Sequence, residues 1–188
     1  MLHDPSSFAA ERRMGGPKIF TFEMHQDDPS KCTSAKMRRL GLARPVQPAR
    51  ISREALVLNP AASVPACPSD RQYALRGGIV VIDCSWVRAA EVFRNGRYNG
   101  LQRRLPSLLA GNPTNYAKLA SLSSLEAVAA TLYIMNFIDL AKRFLSIYKW
   151  GDTFLTLNRD PLDEYSKAKD ADEIQKIEAE YFPPTPKQ

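Results

Sequence analysis

The sequence predicts an α/β fold built on a mostly parallel sheet, and three observations predict it. Residues 77–83, Gly-Gly-Ile-Val-Val-Ile-Asp, are apolar on both faces, as a central parallel strand covered by helices requires. Strand-like segments alternate along the chain with helix-like ones. No internal repeat interrupts that alternation. The 188 residues are 44% apolar, 24% charged and 9% aromatic, which excludes a disordered, collagenous or coiled-coil protein. That length suits one compact domain, or one domain with an appendage.

Residues 1–13 show no periodicity, and a disordered extension is expected over 1–17. Lys18-Ile-Phe-Thr-Phe-Glu-Met alternates apolar and polar side chains and reads as a strand with Phe20 or its neighbours inward. A polar turn over 26–30 leads to a short helix that Thr33 or Ser34 can cap and Gly41 can stop. Residues 45–68 hold five prolines and cannot be continuous helix, but Glu54-Ala-Leu-Val-Leu-Asn fits a short strand. After the central strand, Ser85 can cap a helix over 86–93 that closes at Asn95-Gly96.

Residues 103–116 read as a strand or turn followed by a loop rich in breakers. Ser123-x-x-Glu126 then has capping-box spacing ahead of a long helix. That helix would place Leu125, Val128, Leu132, Met135 and Ile138 on one stripe. A further helix over 140–148 is broken at Trp150-Gly151, and the rest, through Tyr181, reads as amphipathic helix with an acidic face.

Three cysteines, Cys32, Cys67 and Cys84, are an odd number without paired spacing, so reduced thiols are expected and neither a disulfide framework nor a CxxC zinc site. The longest apolar run, residues 127–135, is far shorter than the roughly 20 residues of a membrane-spanning helix. Residues 1–14 are polar and lack an apolar leader core, so a soluble, cytoplasmic protein is expected. Neither GxGxxG nor GxxxxGK[ST] occurs, which removes support for kinase, P-loop and Rossmann readings. With only His3 and His25, metal clusters and Ser-His-Asp triads are disfavoured.

Charge is unevenly placed. Residues 31–53 carry seven basic side chains (Lys31, Lys36, Arg38, Arg39, Arg44, Arg50, Arg53) and no acidic one. Residues 86–118 carry six more against the single Glu91, whereas residues 152–188 carry five basic and nine acidic side chains. The net charge of +6 therefore understates two basic stretches, each able to approach a polyanion or simply to be solvated. In open parallel sheets ligands bind outside the carboxyl ends of strands, where Asp83 falls. A carboxylate directly after an apolar strand caps a helix, pairs with a cation or meets a ligand, because burying it unpaired is costly.

Seven motifs agree in order and spacing with one known family. They are Asp28-Pro29-Ser30-Lys31-Cys32-Thr33, Arg39-Leu40-Gly41-Leu42-Ala43, Asp83-Cys84-Ser85-Trp86, Arg104-Leu105-Pro106, Ala110-Gly111-Asn112-Pro113-Thr114-Asn115-Tyr116, Leu122-Ser123-Ser124-Leu125-Glu126-Ala127 and Lys149-Trp150-Gly151. Over residues 18–158 the chain resembles the small-subunit (16S/18S) rRNA aminocarboxypropyltransferases, which share the fold of the SPOUT class of RNA methyltransferases. The lack of a long acidic tail is similar to archaeal members.

The resemblance implies a knotted SPOUT-like domain over 76–188 that binds S-adenosylmethionine, and a smaller RNA-binding α/β domain over 18–75. The implied reaction moves the 3-amino-3-carboxypropyl group to N3 of an N1-methylpseudouridine-type uridine in small-subunit rRNA, leaving methylthioadenosine, without a metal. Its implied partner is that rRNA or a pre-ribosomal particle; no membrane partner is expected, and although many SPOUT proteins are dimers, the tail from Asp152 onward can cover the usual interface, so a monomer is expected. An RNA methyltransferase on the same scaffold, or a non-catalytic rRNA-binding assembly factor, are the alternatives.

By the same resemblance Asp83 matches the acidic residue near the reacting centre, and as the catalytic carboxylate it is expected to accept or orient toward the uridine N3 proton and to favour the sulfonium. Trp86 and Ala89 match the apolar pocket around the cofactor methyl group, and spacing of three puts them on one helix face. The backbone of Ile82 would meet the ribose. Backbone near Leu105 and over Ala120, Ser121 and Leu122 would bracket the adenine, with Leu109 and Ala110 packed against it. Thr33 matches a hydroxyl residue near the amino-acid end of the cofactor, or serves as a helix cap. Ala117 stands where relatives commonly carry Gly. The Ser123/Glu126 pair is accounted for as a cap. Lys31, Lys36, Arg38, Arg39, Arg103 and Arg104 are the expected RNA-phosphate contacts.

Overall fold

Five parallel strands, β1 (Ile19–Glu23), β2 (Arg44–Pro45), β3 (Leu56–Leu58), β4 (Ile79–Asp83) and β5 (Leu101–Arg103), lie in the order β2-β1-β4-β3-β5. The computed structural model of the protein describes residues 16–24, 32–84, 91–93 and 98–183. The expected extension and the helix over 86–93 fall mostly outside these residues. The strand that is apolar on both faces is the middle one: β4 pairs with β1 from Ile19↔Ile79 to Glu23↔Asp83, and with β3 from Leu56↔Ile79 to Leu58↔Val81. Strands from the two segments expected as separate domains thus alternate in a single sheet.

Period-two alternation divides the sheet's side chains between two cores. Ile19, Leu56, Leu58, Ile79 and Val81 face the larger one, built with the C-terminal helices; Val57, Val80 and Ile82 face a smaller one with Ile51, Ala55 and Phe93. The helices are α1 (Thr33–Arg39), α2 (Arg71–Gly77), α3 (Ser124–Ile134), α4 (Ile138–Leu145), α5 (Gly151–Tyr165) and α6 (Ala171–Tyr181). Leu125, Leu132, Phe144, Phe154, Tyr165 and Ile174 are fully buried in the larger core. Each contributes about 1.5–3 kcal/mol, more than the roughly 1 kcal/mol of a helix cap, so packing rather than capping fixes this layer.

Several local expectations are corrected. Cys32, rather than Thr33 or Ser34, caps α1, its sulfur accepting the Ala35 N–H at 3.3 Å. The stripe ending at Ile138 belongs to two helices: Asn136, at φ 59°, turns the chain between α3 and α4. The helix expected over 140–148 runs from Ile138 to Leu145, and after the break Gly151 opens α5, a position that takes glycine because a Cβ would lie 2.1 Å from the Leu145 carbonyl oxygen. The acidic C-terminal stretch is two helices, α5 and α6. α5 itself kinks at Asn158 (φ −121°), three residues before Pro161. Before β4, α2 was not legible; it ends at Gly78, whose φ of 85° only glycine adopts freely and where a Cβ would meet the Lys18 carbonyl at 2.7 Å. Among the described residues no helix is long and apolar enough to cross a membrane.

Candidate active site

A cleft of about 710 Å³ opens beyond the carboxyl ends of β3, β4 and β5. Its floor is Leu58, Val81, Ile82 and Asp83, and its walls come from the starts of α1 and α3, from residues 104–107 and 112–115, and from Tyr148 and Trp150. Sheet geometry explains the location: strands of one direction end together, and their connections part there.

Asp83 is half-buried in this cleft, and both of its oxygens are held. The Cys32 thiol donates to Oδ2 at 2.9 Å, and the Ser124 hydroxyl donates to Oδ1 at 2.6 Å. Burial first, and then the hydrogen bond to Asp83, push the Cys32 thiol up to about 12, so at neutral pH it remains a donor. A second carboxylate, Glu23, sits opposite Asp83 in the β1–β4 register. Arg38 neutralises it through contacts of 2.6 and 2.7 Å, which relieves the repulsion between the two strand ends. Thr33 is the first residue of α1, and its Oγ1 accepts the Leu125 N–H at 3.3 Å, tying the starts of α1 and α3 together.

The loop over 105–122 is held differently, by side chains reaching in from behind. Ser123 and Glu126 form the expected capping box, but Glu126 does much more. This fully buried carboxylate accepts the N–H groups of Gly111 (2.7 Å), Asn112 (3.0 Å) and Ser123 (2.7 Å) and the Asn112 side-chain amide (2.7 Å). Asn158, at the kink of α5, accepts the Leu109 N–H at 2.7 Å and donates to the Leu109 carbonyl at 2.8 Å. The loop folds back on itself through Ala117 N–H to Ala110 O (2.7 Å) and Ala110 N–H to Lys118 O (3.0 Å). Ala117 and Ala120 adopt φ of 58° and 55°. Ala117 therefore keeps the left-handed backbone that a glycine would adopt at no cost, at a penalty of about 1 kcal/mol.

At the rim, Glu178 of α6 takes both Arg104 guanidinium nitrogens (2.9 and 2.7 Å) and both the N–H and the hydroxyl of Ser107 (2.7 and 2.8 Å). Burial alone would raise this carboxyl, but the hydrogen bonds from Arg104 and Ser107 outweigh it and hold it below its ordinary value. The acidic tail is thus a wall of the cleft.

Of the expected cofactor contacts, Thr33, Ile82, Asp83, Leu105, Ala120 and Leu122 line the cleft together. Leu109, Ala110 and Ser121 do not line it. The Leu109 backbone is committed to Asn158 and that of Ala110 to residues 117 and 118, while Ser121 Oγ donates to the Leu119 carbonyl. Trp86 and Ala89 lie outside the described residues, as does Lys31.

Four expected phosphate contacts have internal partners. Arg103 pairs with the buried Asp70 at 3.0 Å, Arg104 with Glu178 and Arg38 with Glu23. Lys36 donates to the Ile147 carbonyl at 2.7 Å and lies 3.7 Å over the Tyr148 ring. Arg39 is exposed. Sequence reasoning passed over Ser124, Glu178, Tyr148 and the reach of Glu126. Only Glu126 left a signal, its capping-box spacing, and that spacing points to the helix and not to the loop.

A parallel α/β sheet with a nucleoside-sized cleft at its strand ends and a held carboxylate inside it defines the class, a small-molecule-binding α/β enzyme. Comparison with known proteins narrows it. Residues 56–182 match a family described as ribosome biogenesis protein, C-terminal. The 16S rRNA aminocarboxypropyltransferase of Thermoplasma acidophilum is 48% identical over 87% of this chain and 98% of its own length. That of Methanocaldococcus jannaschii is 39% identical over 88% of this chain and 96% of its own. The solved structure of the SAM-dependent rRNA:acp-transferase Tsr3 from Vulcanisaeta distributa superposes with a TM-score of 0.80 at 40% identity, covering 86% of this chain and 88% of that one. The chain belongs to the 16S rRNA aminocarboxypropyltransferase family.

Residues 18–48 also match a possible Fer4-like domain of RNase L inhibitor. That stretch has a single cysteine, Cys32, and its thiol is given to Asp83, so the residues do not fit an iron–sulfur cluster.

Proposed function

We propose that this protein transfers the 3-amino-3-carboxypropyl group of S-adenosylmethionine to N3 of a modified, N1-methylpseudouridine-type uridine in small-subunit rRNA. The observation that carries the reading is Asp83, held in the cleft of a fold that the chain shares with the rRNA:acp-transferase of Vulcanisaeta. The cleft suits the donor: its volume lies in the small-molecule range, and its floor joins the apolar Leu58, Val81 and Ile82 to the carboxylate of Asp83, which favours a sulfonium.

Leu58, Ile82, Leu105 and Leu122 would hold the nucleoside, and Thr33 the amino-acid end. When bound, S-adenosylmethionine supplies the carbon to which N3 bonds as the carbon–sulfur bond breaks, releasing methylthioadenosine. A carboxylate offers about four lone-pair positions, and two of those on Asp83 are used by Cys32 and Ser124. The remaining ones meet the uridine N3–H and take up its proton or pass it to water. Cys32 and Ser124 fix the direction of that acceptor. Neither is a nucleophile: the reaction needs no covalent enzyme intermediate, and the Cys32 thiol is protonated at working pH.

RNA phosphates meet the exposed Arg39, Arg44, Arg50 and Arg53, since Lys36 and Arg38 have partners within the fold. The reading includes a knotted SPOUT-class arrangement, for which the sheet order β2-β1-β4-β3-β5 is the support, and a monomeric, cytoplasmic protein acting on rRNA or a pre-ribosomal particle. The test is to incubate protein and small-subunit rRNA with S-adenosylmethionine labelled either in the carboxyl or in the methyl carbon. Label should reach RNA from the carboxyl carbon alone. Transfer from the methyl carbon would make the protein a methyltransferase, and transfer of neither would leave it a binding factor.

A further inference from the structure

We propose that Trp150, backed by Tyr148, forms a stacking platform for the acceptor pyrimidine, turned out of the RNA so that its N3 edge faces Asp83. The proposal rests on the transferase reading and adds the place where the base lies. Both rings line the cleft, and they stack on each other with centroids 4.9 Å apart and planes 26° from parallel. Tyr148 lies between Trp150 and the Lys36 ammonium, so the face left for a base is on Trp150; both rings pack against the larger core and remain half-buried.

The pose is set from α1. Lys36 lies 3.7 Å over the Tyr148 ring centre while its ammonium donates to the Ile147 carbonyl at 2.7 Å. A lysine so engaged anchors an aromatic ring instead of reaching for a phosphate. Cys32, which donates to Asp83, and the exposed Arg39 are the charged or polar neighbours felt by the Tyr148 hydroxyl. The same corner therefore offers three things that a single extruded nucleotide needs: an aromatic face, a carboxylate for N3–H and a cation for its phosphate. Apolar residues suited to the cofactor nucleoside, Leu105 and Leu122, come from the 105–122 loop instead. Aromatic stacking is tolerant of base identity, so the platform supplies affinity while Asp83 selects the edge.

The test uses a small-subunit rRNA hairpin that accepts carboxyl label from the wild-type protein, and the same hairpin lacking the base at the modified position. Affinities are measured with S-adenosylhomocysteine present, so that no reaction occurs. The wild type should prefer the intact hairpin by about tenfold. Trp150→Leu should lose that preference while binding S-adenosylhomocysteine within about threefold of wild type, and Trp150→Phe should retain part of it. Such non-additivity between base and ring is not produced by a structural role alone.

A second measurement needs no variant. With 5-iodouridine at the modified position, irradiation should cross-link the wild-type protein within tryptic peptides 144–149 or 150–159. Undiminished preference in Trp150→Leu, a loss confined to cofactor affinity, or a cross-link elsewhere would each overturn the platform. If no hairpin accepts carboxyl label from the wild type, it is the transferase reading that fails.

Discussion

The two sides of the cleft are built on opposite plans. On the Asp83 side, functional side chains point in and hold one another: a thiol and a hydroxyl grip the carboxylate, and Thr33 ties α1 to α3. On the loop side the backbone forms most of the wall, and the side chains that shape it are Glu126 and Asn158, from helices behind it, and Glu178, which latches it at the rim. The difference teaches where substitutions act. Changes on the first side should alter chemistry with little loss of fold, and changes behind the second should cost stability and lose cofactor affinity as a consequence.

The largest effect is expected at Glu126. Glu126→Ala leaves three backbone N–H groups and an amide without their acceptor in a buried place, and unsatisfied buried donors cost about 1–3 kcal/mol each. A loss of at least about 3 kcal/mol in urea unfolding is predicted, with Glu126→Gln milder. Asn158→Ala removes the donor and acceptor that clamp Leu109 and should cost about 2–3 kcal/mol. Either protein at wild-type stability would break the comparison.

The latch at the rim sharpens it through pH. Glu178 is held below its ordinary value when folded, so its contribution is present above the unfolded value of about 4.3 and is lost as pH falls through and below it. Stability of the wild type should drop between about pH 5 and 3 more steeply than that of Glu178→Gln, as followed by urea midpoints across that range. The smallest effect concerns Cys32. Its thiol, at about 12, should resist iodoacetamide at pH 8 in the folded protein, whereas denatured protein should react at once, as mass spectrometry would record.

How much of this was legible in the sequence follows from the same division. The apolar run before Asp83 announced both the central strand and the carboxylate at its end, because burial on two faces leaves a one-dimensional trace. The capping box was legible for the same local reason, three residues spanning its whole geometry. Arg103 and Arg104 read as surface cations because their partners, Asp70 and Glu178, are 33 and 74 residues away, and composition carries no record of such pairing. Leu109 and Ala110 were expected against the cofactor from the motif around them. Leu109 is held by Asn158, an unremarkable polar residue until a kink in α5 turns it toward the loop, and Ala110 by the backbone of residues 117 and 118. The strand order, too, is decided by long-range packing of helices that the sequence shows only singly.

The central claim is that Asp83 serves the transfer and not merely the fold, and Asp83→Asn tests it most directly. Asparagine preserves size and its one oxygen can still accept from either Ser124 or Cys32, but its amide nitrogen only donates, so it offers the uridine N3–H only part of what the carboxylate does, and it carries no charge. With carboxyl-labelled S-adenosylmethionine at neutral pH, transfer to rRNA should fall by about 10²-fold or more while cofactor affinity and the unfolding midpoint stay close to wild type. Undiminished transfer by that protein would contradict the account.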